Sequence, residues 1–476
     1  MKRIQKFTVI FLCILFVSSS FCLDAFADNR DLHENVDISE LSDVTEADWF
    51  YDTLKNLMEL NIIHGRDDKT FLPRAPISRC EFIKTLVCAI GTDDLSDEDI
   101  EIYDRLSKNP AHWSEPYFYL ANIMLIFDED EYETADPEEY ITRADMARYI
   151  VNALGITNDS QYSPFCDDAD ANTLRLYREY LILGRRGDDG KLYSDPSANC
   201  SRAEACEIIS RTFDYLTNPY KYKRNQLLKR KNNGLNAEFE ISDFFLVTAF
   251  EFEDMADFES ALPIDKICEI YIMNAKIYPD IFLYDSISYR FTDGTTHYFF
   301  KFQYTEDINE LRQKRDASIA AAKLIIKENI SDDMTELEKL IFIHDYIVLC
   351  TEYDIDGYLA ADIEKSCFRP WGVFENGLAV CQGYSAAFNM LCREAGIKAH
   401  TLVGYKISFD SEQVLHAWNV ALVDGDMYFY DTTHDDPVRQ NTLRHTYCQM
   451  DKETHDLYYQ YEQDLLDLSL FDNILN

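Results

Sequence analysis

The sequence predicts a multidomain protein in which an all-α bundle is followed by an α+β domain, with a helix at the start of that domain packed on an antiparallel sheet. Three observations indicate this fold class. The chain has 476 residues, which is more than one hydrophobic core usually serves. Residues 43–216 repeat a helical pattern three times, and residues 236–460 mix strand-like and helical segments. A hydrophobic content of 47% excludes wholesale disorder.

Residues 1–27 have the pattern of a secretory signal peptide. Three basic residues precede the apolar run Phe7–Val17, and Ala25-Phe26-Ala27 places small residues around a cleavage point. The apolar run is too short for a comfortable membrane span, and no later stretch of sequence is long and apolar enough to cross a bilayer. We therefore expect a secreted protein whose mature chain has no transmembrane segment.

The charge of the chain argues against nucleic acid as a partner. The formal net charge is -41 at pH 7, from 45 basic and 86 acidic residues, and such a surface repels a phosphate backbone. An acidic surface can collect divalent cations, but Asp354-Ile355-Asp356-Gly357 is only a fragment of an EF-hand loop and fails its spacing. We expect neither a metal nor a cofactor.

Cysteine usage is unusual for an exported chain. Of the 13 cysteines, two lie in the signal segment, and an odd number without paired spacings is left. This pattern does not indicate a disulfide framework. It predicts mainly buried free thiols and leaves room for one or two disulfides.

Three segments repeat, at about residues 43–92, 107–155 and 163–216. Each closes with a Ser or Thr, then an arginine, then an acidic residue two positions later, which is typical of a helix N-cap and first turn. The three arginines are Arg79, Arg143 and Arg202. A tryptophan stands near the start of the first two segments, as Trp49 and Trp113. A period shared by helices, turns and a charged signature indicates an array of homologous units.

These repeats resemble the S-layer homology family, whose units close on a similar Ser/Thr-Arg motif. The resemblance implies an all-helical bundle of three repeats that binds secondary cell-wall polysaccharide in grooves between them. By motif, Arg79, Arg143 and Arg202 would contact the anionic glycan, a task suited to a guanidinium, and Trp49 and Trp113 would join them. The alternative is that each arginine pairs with a neighbouring helix.

The repeats are followed by a basic linker at residues 217–235, which carries six Lys and Arg residues in an otherwise acidic chain. It is interpreted as a solvated linker or short helix, with contact to wall or membrane phosphate as the alternative. Residues 236–305 predict a small α+β unit with strands at Ile281–Tyr284 and Tyr298–Tyr304. Residues 306–350 predict two helices at the start of the last domain, 306–460.

Cys381 is the candidate nucleophile. The apolar residues that follow it recur at helical spacing: Tyr384, Ala387, Phe388, Leu391 and Cys392. This stripe predicts a half-buried helix that begins near Cys381 and ends near Gly396. The first turn of a helix offers unpaired N–H groups and the positive end of the macrodipole, which favour a thiolate.

A hairpin would bring a histidine and an aspartate together. Two strand-like segments flank Asp424-Gly425, a strong two-residue turn signal. Counting outward from that turn places Trp418 opposite Asp431. His416 lies two residues from Trp418 and so shares a face with Asp431, within reach of a hydrogen bond. A three-residue turn would put the two side chains on opposite faces.

The three motifs Gly377–Tyr384, His416–Asn419 and Asp431–Thr433 closely resemble those of the transglutaminase-like superfamily, in the same order, over about residues 335–440. The resemblance implies a papain-like fold with Cys381 as nucleophile, His416 as base and Asp431 as the residue that orients it. The family commonly has Asp-Pro-Thr-Trp at the third motif, whereas this chain has a histidine, His434, at the last of these positions. His434 is the runner-up base.

The resemblance implies attack of the thiol on an amide bond of a protein or peptide substrate, through an acyl-enzyme. Water as acceptor would make the protein a cysteine peptidase or amidase, and a lysine-type amine would make it a cross-linking acyltransferase. Hydrolysis is slightly favoured. With the repeats, this indicates an enzyme of the cell surface of a Gram-positive-like bacterium. The alternatives are a catalytically inactive binding module and a structural component of an S-layer.

Overall fold

The computed structural model describes residues 37–461 except 67, 92–94, 109, 159–161, 233, 292–296, 332, 408–412 and 440–441. The predicted signal segment, residues 1–27, lies outside the described residues. The chain divides into two compact units, Met1–Gln226 and Leu227–Asn476. This division falls within the segment predicted as a basic linker, of which Pro219–Arg230 form a helix. In the described part of the chain, no helix is both long and apolar enough to span a membrane.

The N-terminal unit is built from helices. Its α-helices are Tyr51–Glu59, Arg79–Ile90, Asp97–Lys108, Glu115–Ile123, Glu131–Thr134, Arg143–Leu154, Ala171–Arg178 and Arg202–Thr217. One short antiparallel pair, Arg185–Arg186 with Leu192–Tyr193, departs from the predicted all-α character. The helices that begin at the three motif arginines are each preceded by the predicted cap, and the acidic residue three positions later accepts the cap's backbone N–H.

The three segments are joined in a cycle through the loops that precede these helices. The backbone N–H of each motif arginine donates to a carbonyl of another segment: Arg79 to Glu139, Arg143 to Ala198 and Arg202 to Ala75. Each segment therefore donates to one neighbour and accepts from the other. This cyclic exchange satisfies helix-start N–H groups that would otherwise be unpaired.

A partly buried cluster around Glu131 should make the stability of this unit depend on pH. Burial alone would raise the pKa of Glu131, but hydrogen bonds from Arg148 and Tyr149 lower it to about 2. Because the pKa of Glu131 is lower in the folded state, its ionised carboxylate stabilises the folded protein at pH values above the unfolded-state pKa of about 4.3. This stabilisation is lost as the pH falls through the folded-state pKa. The pKa shift of Glu131 alone corresponds to a stabilisation of about 3 kcal/mol. Because the Glu131 and Arg148 side chains are both partly exposed to solvent, we expect about 1–2 kcal/mol.

Glu131→Gln is therefore expected to destabilise the N-terminal unit at pH 7 by about 1–2 kcal/mol. The difference from wild type should shrink below pH 4 and vanish near pH 2. Thermal unfolding of the full chain across this pH range measures it, with Glu129→Gln, an exposed neighbour, as the control. An unchanged difference at pH 2 would show that the ionised carboxylate is not the source of the effect.

The C-terminal unit mixes helices with strands. Its α-helices are Glu238–Phe250, Ile264–Ile277, Ile308–Asn329, Glu336–Cys350, Ile355–Ala360, Cys381–Glu394, Thr432–Asp435 and Lys452–His455. Its strands are Met255–Glu259, Ser286–Phe291, His297–Gln303, Glu352–Tyr353, Leu378–Ala379, Lys398–Ile407, Gln413–Val423, Asp426–Tyr430 and Tyr459–Tyr461. The two predicted helices between residues 306 and 350 are confirmed as Ile308–Asn329 and Glu336–Cys350.

Residues 236–305, within the larger C-terminal unit, contain two helices and a three-stranded antiparallel sheet. His297–Gln303 is its central strand, flanked by Met255–Glu259 and Ser286–Phe291. The strand predicted at Ile281–Tyr284 is wrong, because these residues form turns and irregular backbone. Ile281, Phe282 and Leu283 are nonetheless buried, so their apolar run reflects a core position rather than sheet pairing.

A four-stranded antiparallel sheet carries the last part of the chain. The strand order is Asp426–Tyr430, Gln413–Val423, Lys398–Ile407 and Tyr459–Tyr461. The helix Cys381–Glu394, called the Cys381 helix below, packs against the two central strands and also against the helices Ile308–Asn329 and Glu336–Cys350. A helix with neighbours on opposite sides has little surface left for solvent.

The Cys381 helix is therefore more buried than its sequence pattern predicts. All five residues of the apolar stripe are buried, as expected, but Ser385 and Asn389 on the other face are buried too. The prediction of a half-buried helix is wrong for residues 383–392, which are all buried. The two polar side chains find partners inside: Ser385 Oγ and Asn389 Nδ2 both hydrogen-bond to Thr401 Oγ1, which removes most of the cost of burying them.

Candidate active site

The Cys381 helix begins at Cys381 itself, with Val380 as N-cap. Its start is fixed by the carbonyl of Cys367, which accepts the Val380 N–H at 3.0 Å. Gly383 lies against that carbonyl, and a Cβ on Gly383 would come within 2.3 Å of the Cys367 oxygen. Only glycine fits there, which explains a glycine two residues after the cysteine in the first turn of a helix.

The hairpin register is confirmed. Asp424 and Gly425 form the turn, both with positive φ, and the pairing runs outward to Tyr430 opposite Asn419. The next pair along would be Asp431 and Trp418, as predicted. His416 Nε2 lies 2.8 Å from Asp431 Oδ2, and both side chains are buried.

Asp431 is the most heavily bonded carboxylate of the site. Its Oδ2 accepts from His416 Nε2 at 2.8 Å, from His434 Nδ1 at 2.8 Å and from the Tyr459 hydroxyl at 2.6 Å. Its Oδ1 accepts the backbone N–H of His434 at 3.1 Å. Burial alone would raise the pKa of this carboxyl, but His416 and His434 hold it well below its usual range. Asp431 is therefore ionised at neutral pH.

The Cys381 thiol lies beside the backbone of the histidine strand. Its sulfur lies 3.7 Å from Gln382 Oε1, and the backbone N–H of Ala417, the residue after His416, acts to lower the pKa of the thiol. The Nε2 of His416 is engaged with Asp431, and its Nδ1 has no hydrogen-bond partner among the described residues. The structure thus pairs His416 with Asp431 and places the Cys381 thiol beside the peptide that follows His416.

The expected thiolate at the helix start is wrong for the resting site. Burial raises the pKa of the Cys381 thiol above its ordinary value, and the Asp431 carboxylate adds to the rise, against the hydrogen bond from Ala417. Desolvation by the surrounding side chains thus outweighs the helix N–H groups. The resting thiol is neutral, and its use as a nucleophile requires a base to remove the proton.

Three further residues border the Asp431 carboxylate. His434 shares it with His416, and burial lowers the pKa of the His434 ring although Asp431 acts in the opposite direction, so the ring is neutral at pH 7. Tyr459 donates to it from the edge strand. Lys406 Nζ lies 3.6 Å from the centre of the Tyr447 ring, and burial lowers its pKa to about 8. Tyr459 and Lys406 could not be predicted as site residues from the sequence, because each reaches the site through strand pairing that no local motif encodes.

The arrangement can move one proton between sulfur and nitrogen. With Nε2–H donating to Asp431, the His416 ring is held in the tautomer whose Nδ1 carries a lone pair. The same three residues, His416, Asp431 and His434, have ligand atoms within 4.8 Å of one another, close enough to hold a metal ion. Asp431 Oδ2 already accepts from three donors there, so a cation would have to displace them.

The N-terminal unit has a cavity of 540 Å³ that collects several of the other predicted residues. Trp113 and Arg202 line it, together with Arg66, Lys84 and the Ile62–Gly65 turn. Trp113 is 44% exposed and Trp49, which is not among the lining residues, is 66% exposed. The lining carries one aromatic side chain, Trp113, and both signs of charge, with Asp68, Glu81 and Glu138 beside the three basic residues.

The three motif arginines are engaged inside the protein. Arg79 donates to Tyr149 Oη at 2.9 Å and pairs with Glu139 at 2.8 Å. Arg202 bonds to the Phe71 carbonyl at 2.7 Å and to the Glu81 carboxylate at 2.5 Å. Arg143 lies 3.3 Å from Glu204. Each pair joins two repeat segments, so the interpretation that these arginines pair with a neighbouring helix describes what they do in this structure.

The cysteines within the described residues form no disulfides. All eleven that the structure describes are free thiols, as predicted, but only five of them are fully buried. Two, Cys166 and Cys350, are exposed. The prediction of mainly buried thiols is therefore too strong.

A cysteine at a helix start and a histidine–aspartate pair on an antiparallel sheet lie in a part of the chain that matches a known family. Residues 325–431 match the transglutaminase-like superfamily, a range that includes Cys381, His416 and Asp431. Residues 40–83 match the S-layer homology domain, which corresponds to the first repeat segment. The chain therefore contains an S-layer homology domain followed by a transglutaminase-like domain.

Individual relatives match parts of the chain. An endoglucanase of Bacillus sp. (strain KSM-635) is 27% identical over 224 residues, 44% of this chain and 22% of that protein. The kyphoscoliosis peptidase of Homo sapiens is 30% identical over 128 residues, 25% of this chain and 19% of that protein. The chain thus spans about a fifth of the length of these relatives. A crystal structure of a TGase aligns at a TM-score of 0.24 and 16% identity, over 36% of this chain and 48% of that chain.

Proposed function

We propose that the C-terminal unit is a cysteine enzyme that cleaves or transfers amide bonds through an acyl-enzyme on Cys381. The observation that carries the proposal is the 2.8 Å contact of His416 Nε2 with Asp431, and the Cys381 thiol lies close enough to the next peptide N–H, that of Ala417, for it to affect the pKa of the thiol. A cysteine, a histidine held in one tautomer and a buried carboxylate are the parts that nucleophilic catalysis by a thiol needs. The match to the transglutaminase-like superfamily supports the same class.

Each residue has a defined task in this proposal. His416 Nδ1 removes the proton from the neutral Cys381 thiol as the sulfur attacks the carbonyl carbon of an amide. The N–H groups of Cys381 and Gln382 at the helix start stabilise the oxyanion that forms. The His416 imidazolium, stabilised by Asp431, then gives its proton to the departing amine, and a thioester on Cys381 remains.

The molecule that accepts the acyl group from the thioester decides which reaction the enzyme catalyses. Attack of water on the thioester releases a carboxylic acid and makes the protein a peptidase or amidase, whereas attack of an amine forms a new amide. We favour hydrolysis, and the peptidase among the relatives supports this choice. Turnover of peptide amides with and without an added primary amine distinguishes the two: hydrolysis gives acid in both reactions, and a transferase gives an amine-linked product that depends on the amine concentration.

We further propose that the N-terminal unit attaches the enzyme to the cell surface. S-layer homology domains bind secondary cell-wall polysaccharide, and the first repeat matches that family. Because Arg79 and Arg202 are spent on contacts between segments, we assign glycan contact chiefly to the exposed tryptophans and to the cavity beside Trp113. The arginines contribute to glycan binding by holding the three segments together, and any guanidinium N–H group that faces the cavity can donate to the glycan.

Trp49→Ala and Trp113→Ala are each expected to weaken binding of the full chain to purified wall sacculi by about tenfold, because each removes a stacking surface of about 1–1.5 kcal/mol. Co-sedimentation over a range of sacculus concentrations gives the affinity. Tyr140→Ala is the matched control, an aromatic that is 55% exposed in the same unit and should leave binding unchanged. Undiminished binding in the double tryptophan variant would contradict this assignment, and no binding by the wild-type chain would contradict the attachment itself.

A further inference from the structure

A second cluster of histidine and cysteine side chains lies apart from Cys381. His344 stands on the helix Glu336–Cys350 and is fully buried, while His445 and Cys448 come from the segment after Asp435. The ligand atoms of these three side chains all lie within 4.8 Å of one another. None of the three takes part in the proposed reaction, so the cluster needs another explanation.

The polar atoms of the cluster converge on one point. Asp345 Oδ1 lies 2.9 Å from His344 Nδ1 and 2.7 Å from His445 Nε2, so two ring nitrogens from different segments face the same carboxylate oxygen. The Cys448 sulfur lies within 4.8 Å of a ring nitrogen of each histidine. Two imidazoles and one thiol thus face a common space near the surface, since His445 is exposed.

The cluster also has outer support. The second nitrogen of His344, Nε2, lies 3.1 Å from Asp435 Oδ2, and Asp435 is fully buried. Asp435 additionally accepts the backbone N–H groups of Thr446 and Tyr447, both at 2.9 Å. A buried carboxylate that orients a histidine ring from behind is typical of metal sites. Here the same carboxylate also fixes the segment that carries His445 and Cys448.

We propose that His344, His445 and Cys448 bind one zinc-class divalent ion through one ring nitrogen of each histidine and the thiolate sulfur. Imidazole and thiolate donors suit Zn²⁺ and disfavour Mg²⁺ and Ca²⁺, which prefer oxygen. On binding, the Cys448 thiol and the coordinating ring nitrogen of each histidine must give up their protons to solvent. The ion ties the helix Glu336–Cys350 to the segment that includes Tyr447, whose carbonyl accepts the Asp431 N–H at 3.0 Å.

Cobalt substitution tests this site without recourse to activity. The full chain, stripped of metal, is titrated with Co²⁺, and a bound thiolate gives a sulfur-to-cobalt charge-transfer band. We expect one Co²⁺ per chain with this band, displaced by Zn²⁺ and unaffected by excess Ca²⁺ or Mg²⁺. His445→Gln, at an exposed ligand whose replacement spares the core, should weaken binding by at least about 100-fold.

Two cysteine variants locate the thiolate. Cys448→Ser should abolish the band, and Cys381→Ser should leave it intact. Absence of the band from the wild-type chain would overturn the proposal. So would a band that survives in Cys448→Ser, or one that disappears in Cys381→Ser, because the ion would then be held by the group of His416, Asp431 and His434.

Discussion

Cys381→Ala is expected to lower the rate of amide cleavage by about 10,000-fold or more, because loss of a triad nucleophile removes the covalent route altogether. The substitution deletes one sulfur from a partly exposed position at the helix start, so the folded state should keep its stability. The measurement is turnover of a peptide amide by the full-length variant, with thermal unfolding recorded on the same sample.

Cys350→Ala is the matched control for this experiment. Cys350 is an exposed free thiol in the same unit, at the end of the helix Glu336–Cys350, and it should retain wild-type activity. Equal loss of activity in both variants would point to a general effect of thiol removal. Full activity in Cys381→Ala would rule out the acyl-enzyme on Cys381, whereas absence of turnover in the wild-type chain would leave the alternative of a binding module without catalysis.

Asp431→Asn is expected to have the second largest effect, on rate and stability together. The amide can no longer accept from His416, His434 and Tyr459 as an ionised carboxylate does, and a donor group would face other donors. We expect a rate loss of about 1,000- to 10,000-fold and destabilisation of about 1–3 kcal/mol, the usual cost of leaving buried hydrogen-bonding groups without their partner. Turnover at a temperature well below the unfolding transition separates the two effects.

His434→Gln distinguishes the two histidines that share Asp431. His416 Nδ1 is the proposed proton acceptor, so His416→Gln should lose activity as severely as Asp431→Asn, whereas His434→Gln should keep activity within about tenfold. A severe loss in His434→Gln with activity retained in His416→Gln would make His434 the base, which is the runner-up assignment from the sequence.

Much of the site could be predicted from the sequence because its elements are local. The turn at Asp424-Gly425 sets the register of the hairpin. Because side chains alternate between the two faces of a strand, this register places His416 and Asp431 on one face. The apolar stripe after Cys381 likewise places the start of the helix. Both signals depend only on residues within one turn or one hairpin.

What could not be predicted depends on distant packing. Nothing near Cys381 shows that its helix is covered by two other helices, and that burial reverses the expected direction of the thiol pKa shift. Tyr459 reaches Asp431 from 28 residues away along the chain, through an edge strand that pairs with Lys398–Ile407. The strand predicted at Ile281–Tyr284 was wrong because a buried irregular segment and a buried strand can have the same apolar composition.

The most direct test of the central claim is the rate at which iodoacetamide modifies each cysteine at pH 7, read by peptide mass spectrometry. Because burial raises the pKa of the Cys381 thiol, its reactivity must come from His416, and we expect Cys381 to react fastest in wild type. His416→Ala should slow Cys381 by about 100-fold and leave the exposed Cys350 unchanged. Modification of Cys381 no faster than that of the buried Cys392, or an unchanged Cys381 rate in His416→Ala, would contradict a nucleophile activated by His416.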